Sequence, residues 1–220
     1  MSETGVNFDY CDQLVEKFER VCEHPIPSKK KEPVYYTGVD LGTACVVVAV
    51  LDENFEPVAG AYRWASVVRD GMVVDYVGAI HLVREMKEEL EQKLGVDELI
   101  YAAAAIPPGT ENVDGGAVAN VVRGAGFTVS NVLDEPTAAN QVLKIQDGAV
   151  VDIGGGTTGI SVFKDGEVVY IGDQPTGGDG DSSGLLQVLH FENPPLTIAA
   201  AITAARHGER PRGAPVAPSG

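Results

Sequence analysis

The spacing of apolar residues along the chain changes period several times. Phe8, Cys11, Leu14, Val15, Phe18, Val21 and Cys22 recur at three- and four-residue steps, which predicts an amphipathic helix ending near Glu23. Pro25-Ile26-Pro27-Ser28 and Lys29-Lys30-Lys31 follow as a polar linker. From Val34 the pattern shortens. Val34 to Val50 reads as a strand pair around a loop after Asp40, and Phe55 to Trp64 reads as a further strand. Arg69-Asp70-Gly71 is a turn before Met72-Val73-Val74. Helical spacing returns over Gly78 to Leu94, with Ala79, Val83, Met86, Leu90 and Leu94 inward, Lys87 and Glu91 paired at i,i+4, and Gly95 as the cap.

Beyond that helix, Leu99 to Ile106 is small and apolar, a central strand stopped by Pro107-Pro108-Gly109. Val113 to Gly124 is a weaker helix because Gly115-Gly116 lower its propensity. Phe127 to Leu133 is another strand, and Asp134 to Asn140 opens a helix with acids and Pro136 in its first turn, where the helix dipole and the missing N–H favour them. Ala149 to Ile153 is a strand carrying Asp152, and Ile160 to Ile171 alternates around Asp165-Gly166, a hairpin signal. Strands followed by helices after an opening meander predict an α/β layer structure.

One arrangement occurs twice. Val39-Asp40-Leu41-Gly42-Thr43 and Val151-Asp152-Ile153-Gly154-Gly155-Gly156-Thr157 each place one acid at a strand end before a loop of glycine and threonine, with a second strand after it. Aligning Asp40 with Asp152 brings the turn acids Asp52 and Asp165 within one position of each other. Glycine lets backbone N–H groups approach a phosphate closely. Two such loops are suited to clamp a polyphosphate and its metal from opposite sides.

Charge sharpens this reading. The 220 residues carry a formal net charge of −16, which repels nucleic acid and anionic lipid, so neither is an expected partner. It repels ATP as well, so a nucleotide site has to be local and built from backbone amides and Mg²⁺. Cys11, Cys22 and Cys45 form no C-x-x-C pair, and no apolar run approaches the length that spans a bilayer, so the expected location is cytoplasmic. Gly154 to Gly159 also spells G-x-G-x-x-G, but that dinucleotide fingerprint must open a helix and here a hairpin follows. Gly180-Asp181-Ser182-Ser183-Gly184 spells a nucleophile-elbow pattern without a convincing strand before it. Asp179, Asp181 and Ser183 resemble a calcium loop that has His190 where the closing Glu belongs. Neither is adopted, and the scattered histidines have no ligand spacing.

Three segments in order carry a family resemblance. Gly38-Val39-Asp40-Leu41-Gly42-Thr43 is similar to the first phosphate motif of the actin, Hsp70 and sugar-kinase ATPases. Leu133 to Ala139 resembles their connecting helix, and Val151 to Thr157 their second phosphate motif. Within that superfamily the chain resembles the ethanolamine-utilisation protein J family, its chaperonin-like branch, through Trp64 to Gly71, Pro107 to Thr110, Leu133 to Ala138, Val150 to Ile160 and Thr176-Gly177-Gly178. The resemblance implies an RNase H-like mixed sheet with flanking helices. It also implies that the amides of Gly42, Thr43 and Ala44 hold terminal phosphates from one side, and Gly154, Gly155, Gly156 and Thr157 from the other. Gly177 and Gly178 join this cofactor-binding set. Asp40 and Asp152 would hold Mg²⁺ through water. Glu135 would orient the attacking water, with Asp152 as the second catalytic residue.

The implied function is an ATP-binding, chaperone-type protein of bacterial ethanolamine utilisation, assisting ethanolamine-degrading enzymes or microcompartment components, with at most weak Mg²⁺-dependent ATPase activity. No lysine lies between Lys31 and Lys87, so the lysine that Hsp70 proteins place near the γ-phosphate is absent, and Arg63 and Arg69 are the nearby bases. The alternatives are a nucleotide-independent protein that docks to shell or cargo by its N-terminal helix, a truncated inactive relative, and an actin-like filament former. The expected division is a helix and linker over 1–33, a first domain over 34–147, the start of an incomplete second domain over 148–178, and a divergent, disordered tail over 179–220.

Overall fold

The first helix meets its partner immediately. In a computed structural model, which describes residues 8–69, 71–108, 115–153 and 157–174, α1 (Phe8–Glu23) lies on a five-stranded sheet. That sheet runs β3 (Pro57–Trp64), β2 (Cys45–Leu51), β1 (Tyr36–Leu41), β6 (Tyr101–Ile106), β7 (Thr128–Asp134). The first three strands form an antiparallel meander, and β6 and β7 add in parallel to the free edge of β1. β1 is thus the central strand, with β6 beside it. Leu14 and Phe18 of α1 bury themselves with Val47, Ala49 and Leu51 of β2 and with Val142 from α4 (Glu135–Leu143). The apolar face of α1 is therefore spent on its own sheet and is not free for docking. Deleting residues 1–24 would remove the buried Leu14, Phe18 and Val21 and uncover the sheet beneath them, since burying three such side chains contributes on the order of 2 kcal/mol each.

The opposite face carries α2 (Tyr76–Leu94) and α3 (Gly115–Gly124), which close a core containing Val39, Val46, Val48, Val50, Ala102, Ala104 and Ile106. Because both faces are covered, β2 is buried almost without interruption, and its Val-rich run has no need of polar alternation. All five expected inward residues of α2 are buried. The helix begins two residues before Gly78, because the Asp75 carboxylate accepts from the Gly78 amide at 2.8 Å and caps it. Gly95 ends it in the left-handed conformation, φ 68°. The Lys87–Glu91 pair is buried as well: Lys87 lies 5.3 Å from the Phe127 ring centroid, and Glu91 also accepts from the Leu99 amide at 2.7 Å.

A short hairpin, β4 (Val68–Arg69) with β5 (Met72–Val73), connects β3 to α2. The second sheet has the order β10 (Glu167–Gln174), β9 (Thr158–Lys164), β8 (Gly148–Ile153), antiparallel throughout. Asp165 and Gly166 both take positive φ, 53° and 80°, as the tight turn joining β9 to β10 requires. One face of this sheet packs on α4 through Val150, Phe163 and Ala139. β9 follows the Gly-rich loop directly, so no helix opens there and the dinucleotide reading falls. The expected tail and the calcium-loop and elbow decoys lie outside the described residues.

Candidate functional site

The two Asp-headed units fold alike. Asp40 is the next-to-last residue of β1 and faces Val47; Asp152 is the next-to-last residue of β8 and faces Gly159, seven positions on in each case. In both units a third antiparallel strand follows in the same order. The sequence repeat is thus a repeat of backbone pairing, and it fixes each carboxylate beside its loop.

The loop after Asp40 is tight: a Cβ at Gly42 would stand 2.7 Å from the Cys45 carbonyl oxygen, so only glycine fits and the backbone is left uncovered. Gly42 and Thr43 are partly buried and Ala44 is exposed. Of the second loop, Thr157 is described and buried, while Gly154, Gly155, Gly156, Gly177 and Gly178 lie outside the described residues.

Glu135 arrives from a different element. Asp134 ends β7 and caps α4, its Oδ1 accepting from the Thr137 amide at 2.9 Å and from the Ser161 hydroxyl at 2.9 Å. That buried bond ties the start of α4 to β9. Beside it, a Cβ at Gly159 would lie 2.7 Å from Pro108 Cγ and 3.2 Å from Pro136 Cγ, so the second sheet seats closely on the end of β6 and the first turn of α4. The carboxyl ends of β1, β6 and β7 therefore open onto the end of β8, at a strand-end crevice of the kind in which α/β proteins bind ligands.

Electrostatics show how near these acids are to one another. Burial, followed by the Asp152 charge, pushes Asp40 well above the usual carboxylate range. Glu135 is raised likewise, by burial and then by Asp40, Asp152, Asp173 and Asp134. Burial raises Asp152 to about 6. Asp40 Oδ1 is buried and has no hydrogen-bond partner among the described residues. A buried carboxylate oxygen in that position, among like charges, calls for a cation or a proton. Among the described residues no three acidic, histidine or cysteine side chains converge closely enough to hold a metal directly. Two buried carboxylates, one with an unpartnered oxygen, are hard oxygen donors of the kind that Mg²⁺ accepts, directly or through its water.

Two residues of this region have no signature in the sequence. Asp173 on β10 faces Gly159, contributes to the rise of Glu135, and has a buried, unpartnered Oδ1. Ser161 is fully buried. The signal that could have found Ser161 is its strand position, alternating with Gly159 and Phe163 on the face toward α4.

Comparison with known proteins agrees with this geometry. The family model described as MreB/Mbl protein matches residues 59–192. Ethanolamine utilization protein EutJ of Salmonella typhimurium (strain LT2) is 49% identical over 152 residues, covering 69% of this chain and 53% of that protein, so the chain spans about half the length of the curated relatives it matches. The crystal structure of EutJ from Carboxydothermus hydrogenoformans superimposes with a TM-score of 0.70 at 48% identity, over 78% of this chain and 62% of that one. MreB5 of Spiroplasma citri, solved bound to AMPPNP, shares the fold with a TM-score of 0.52 at 19% identity, over 69% of this chain and 54% of that one. The chain belongs to the MreB/Mbl family in the actin/Hsp70-like superfamily, and over the matched region it is similar to the EutJ proteins. Among the described residues, no helix is long and apolar enough to cross a membrane.

Proposed function

We propose that this chain binds Mg·ATP between its two Asp-headed loops and serves ethanolamine utilisation as a chaperone-type helper of ethanolamine-degrading enzymes, associated with a microcompartment. The observation that carries the nucleotide part is the meeting of Asp40, Glu135 and Asp152 at one crevice, with Asp40 Oδ1 buried and unpartnered. Mg²⁺, when bound, would neutralise phosphate charge. Asp40 and Asp152 would orient its water ligands, the amides of Gly42, Thr43 and Ala44 and the Gly154-to-Thr157 loop would hold phosphate oxygens, and Glu135 would accept a proton from an attacking water. The AMPPNP-bound MreB5 supports the nucleotide class by fold alone. The cellular role rests on the EutJ relatives.

Calorimetric titration of Mg·ATP into the chain, beside Asp40→Asn and Asp152→Asn, tests the reading. Binding by the wild type that both variants lose is expected; a wild type that takes up no nucleotide refutes it.

A further inference from the structure

We infer that Asp173 is a further carboxylate of the divalent-cation site, held across Gly159 from Asp152 by an irregularity in β10; the inference rests on the proposal that this crevice takes Mg²⁺. Asp152 and Asp173 both face Gly159, so the three residues form one row across β8, β9 and β10. Residues directly opposite in antiparallel strands share a face of the sheet, and Gly159 puts no side chain between the two acids. That face is the one turned to α4: a Cβ at Gly159 would stand 2.7 Å from Pro108 Cγ and 3.2 Å from Pro136 Cγ. Glu135 directly precedes Pro136, so the first turn of α4 sets it above this row. Both acids of the row contribute to the rise of Glu135, after burial and Asp40.

The row exists because β10 is not regular. Val168 faces Phe163 but Tyr170 faces Val162, which leaves Val169 without a partner in the ladder. Regular pairing continued from Val168 would set Gly172 opposite Gly159 and turn Asp173 to the other face. The extra residue instead brings Asp173 opposite Gly159, and a bulge re-aims the side chains beyond it in this way. Of the carboxylate so placed, Oδ1 is buried and has no hydrogen-bond partner among the described residues. Asp40, 3% exposed, presents a second such oxygen from β1. No basic side chain is among the groups that shift Asp40, Glu135, Asp152 or Asp173. Two buried oxygens without donors, among four acids on which no base acts, call for positive charge, which a divalent cation supplies. The backbones of Asp152 and Asp173 are about 10 Å apart, two strand spacings. Asp173 therefore reaches a cation near Asp152 through its bound water. Mg²⁺ keeps several waters, and carboxylates that hold them tune its affinity.

The test titrates Mn²⁺ into the full chain, with and without ATP, and counts the free ion by electron paramagnetic resonance; Mn²⁺ stands in for Mg²⁺ because both suit carboxylate and water ligands. Wild type, Asp173→Asn, Asp152→Asn and Asp165→Asn are compared, the last removing an acid from the turn at the far end of β9 and β10. Thermal unfolding without metal accompanies each. Asp173→Asn and Asp152→Asn are each expected to weaken Mn²⁺ about tenfold. Asp165→Asn should bind as the wild type does, and Asp173→Glu, which keeps the charge, should recover part of the loss. Without metal, Asp173→Asn should melt no lower than the wild type; if it does melt lower, Asp173→Ser takes its place. Equal binding by wild type and Asp173→Asn overturns the role of Asp173, and leaves the cation reading intact where Asp152→Asn is weakened. A loss in Asp165→Asn as large as in Asp173→Asn also overturns it, since net charge alone then sets the affinity. No Mn²⁺ binding by the wild type in either titration overturns both.

Discussion

The units β1–β2–β3 and β8–β9–β10 have the same order, the same antiparallel pairing and the same seven-residue step from aspartate to partner, yet they are buried very differently. In the first, α1 and α4 cover one face, α2 and α3 cover the other, and β6 occupies the open edge of β1. In the second, among the described residues, α4 alone covers one face. β9 consequently alternates between buried and half-buried positions, and Val169 and Tyr170 of β10 are largely exposed. Backbone pairing, which the two units share, is what puts the acid beside its loop. Stability comes from what covers the strands, which they do not share. Among the described residues, the site therefore joins a half covered on both faces to a half covered on one.

The largest test of that contrast removes one phenylalanine from each half. Phe18 is fully buried between α1 and the first sheet, and Phe163 packs between β9 and α4. Phe18→Ala should cost about 3–5 kcal/mol. Phe163→Ala should cost less, because among the described residues its cluster with Ala139 and Val150 is small beside the one around Phe18. Urea unfolding of both variants measures the difference, and equal losses would show that the second sheet is as firmly held as the first.

The same contrast explains what could be read from the sequence. The apolar runs and caps of α2, the glycine that stops it and the Asp165-Gly166 turn are local signals, and the structure follows them. The repeat around Asp40 and Asp152 was legible because it is a pairing pattern, with period and turn residues intact. The cap at Asp75 is not legible, because the regular spacing of inward residues begins only at Ala79, inside the first turn that Asp75 closes. The burial of Lys87 was not legible, since it depends on Phe127 and Glu91 meeting across elements. Ser161 and Asp173 were missed for the same reason: their roles arise only when β9 and β10 seat against α4 and the crevice. The α1 periodicity favours a helix packed on its own domain over a docking helix, and contact with the sheet bears that out.

The acids that join the halves make a pH test of intermediate size. Asp152 has an ordinary value of 3.8 and rises to about 6 in the folded chain, so between pH 4 and 6 the folded state binds more protons than the unfolded one. Stability without a divalent cation should then fall as pH rises through that window, by about 3 kcal/mol from this group alone. Asp40 and Glu135, also raised, carry the decline to higher pH. Asp152→Asn should flatten the slope and stabilise the cation-free protein above pH 6, while Mg²⁺ should stabilise the wild type more than the variant. Urea midpoints at pH 5, 6, 7 and 8 supply the check; a wild type whose stability climbs over that range would rule the arrangement out.

The smallest effect concerns the bond that spans the two halves. Ser161 lies on β9 and donates to Asp134 Oδ1, which also accepts from the first turn of α4, so one buried carboxylate registers the second sheet against the helix that carries Glu135. Ser161→Ala removes the hydroxyl but leaves Asp134 its amide donor from Thr137, so the expected loss is about 1–3 kcal/mol rather than the larger cost of stranding a charge. Amide exchange locates that loss. If the bond is a cross-half tie, protection should fall in β8, β9 and the first turn of α4 while β1 and β2 keep theirs, because the first sheet does not depend on it. Uniform loss across both sheets would mean the chain unfolds as one unit and the two halves are not separable in stability. Unchanged protection everywhere would mean that Gly159 against Pro108 and Pro136 already holds the sheet in place by packing, with the hydrogen bond adding nothing.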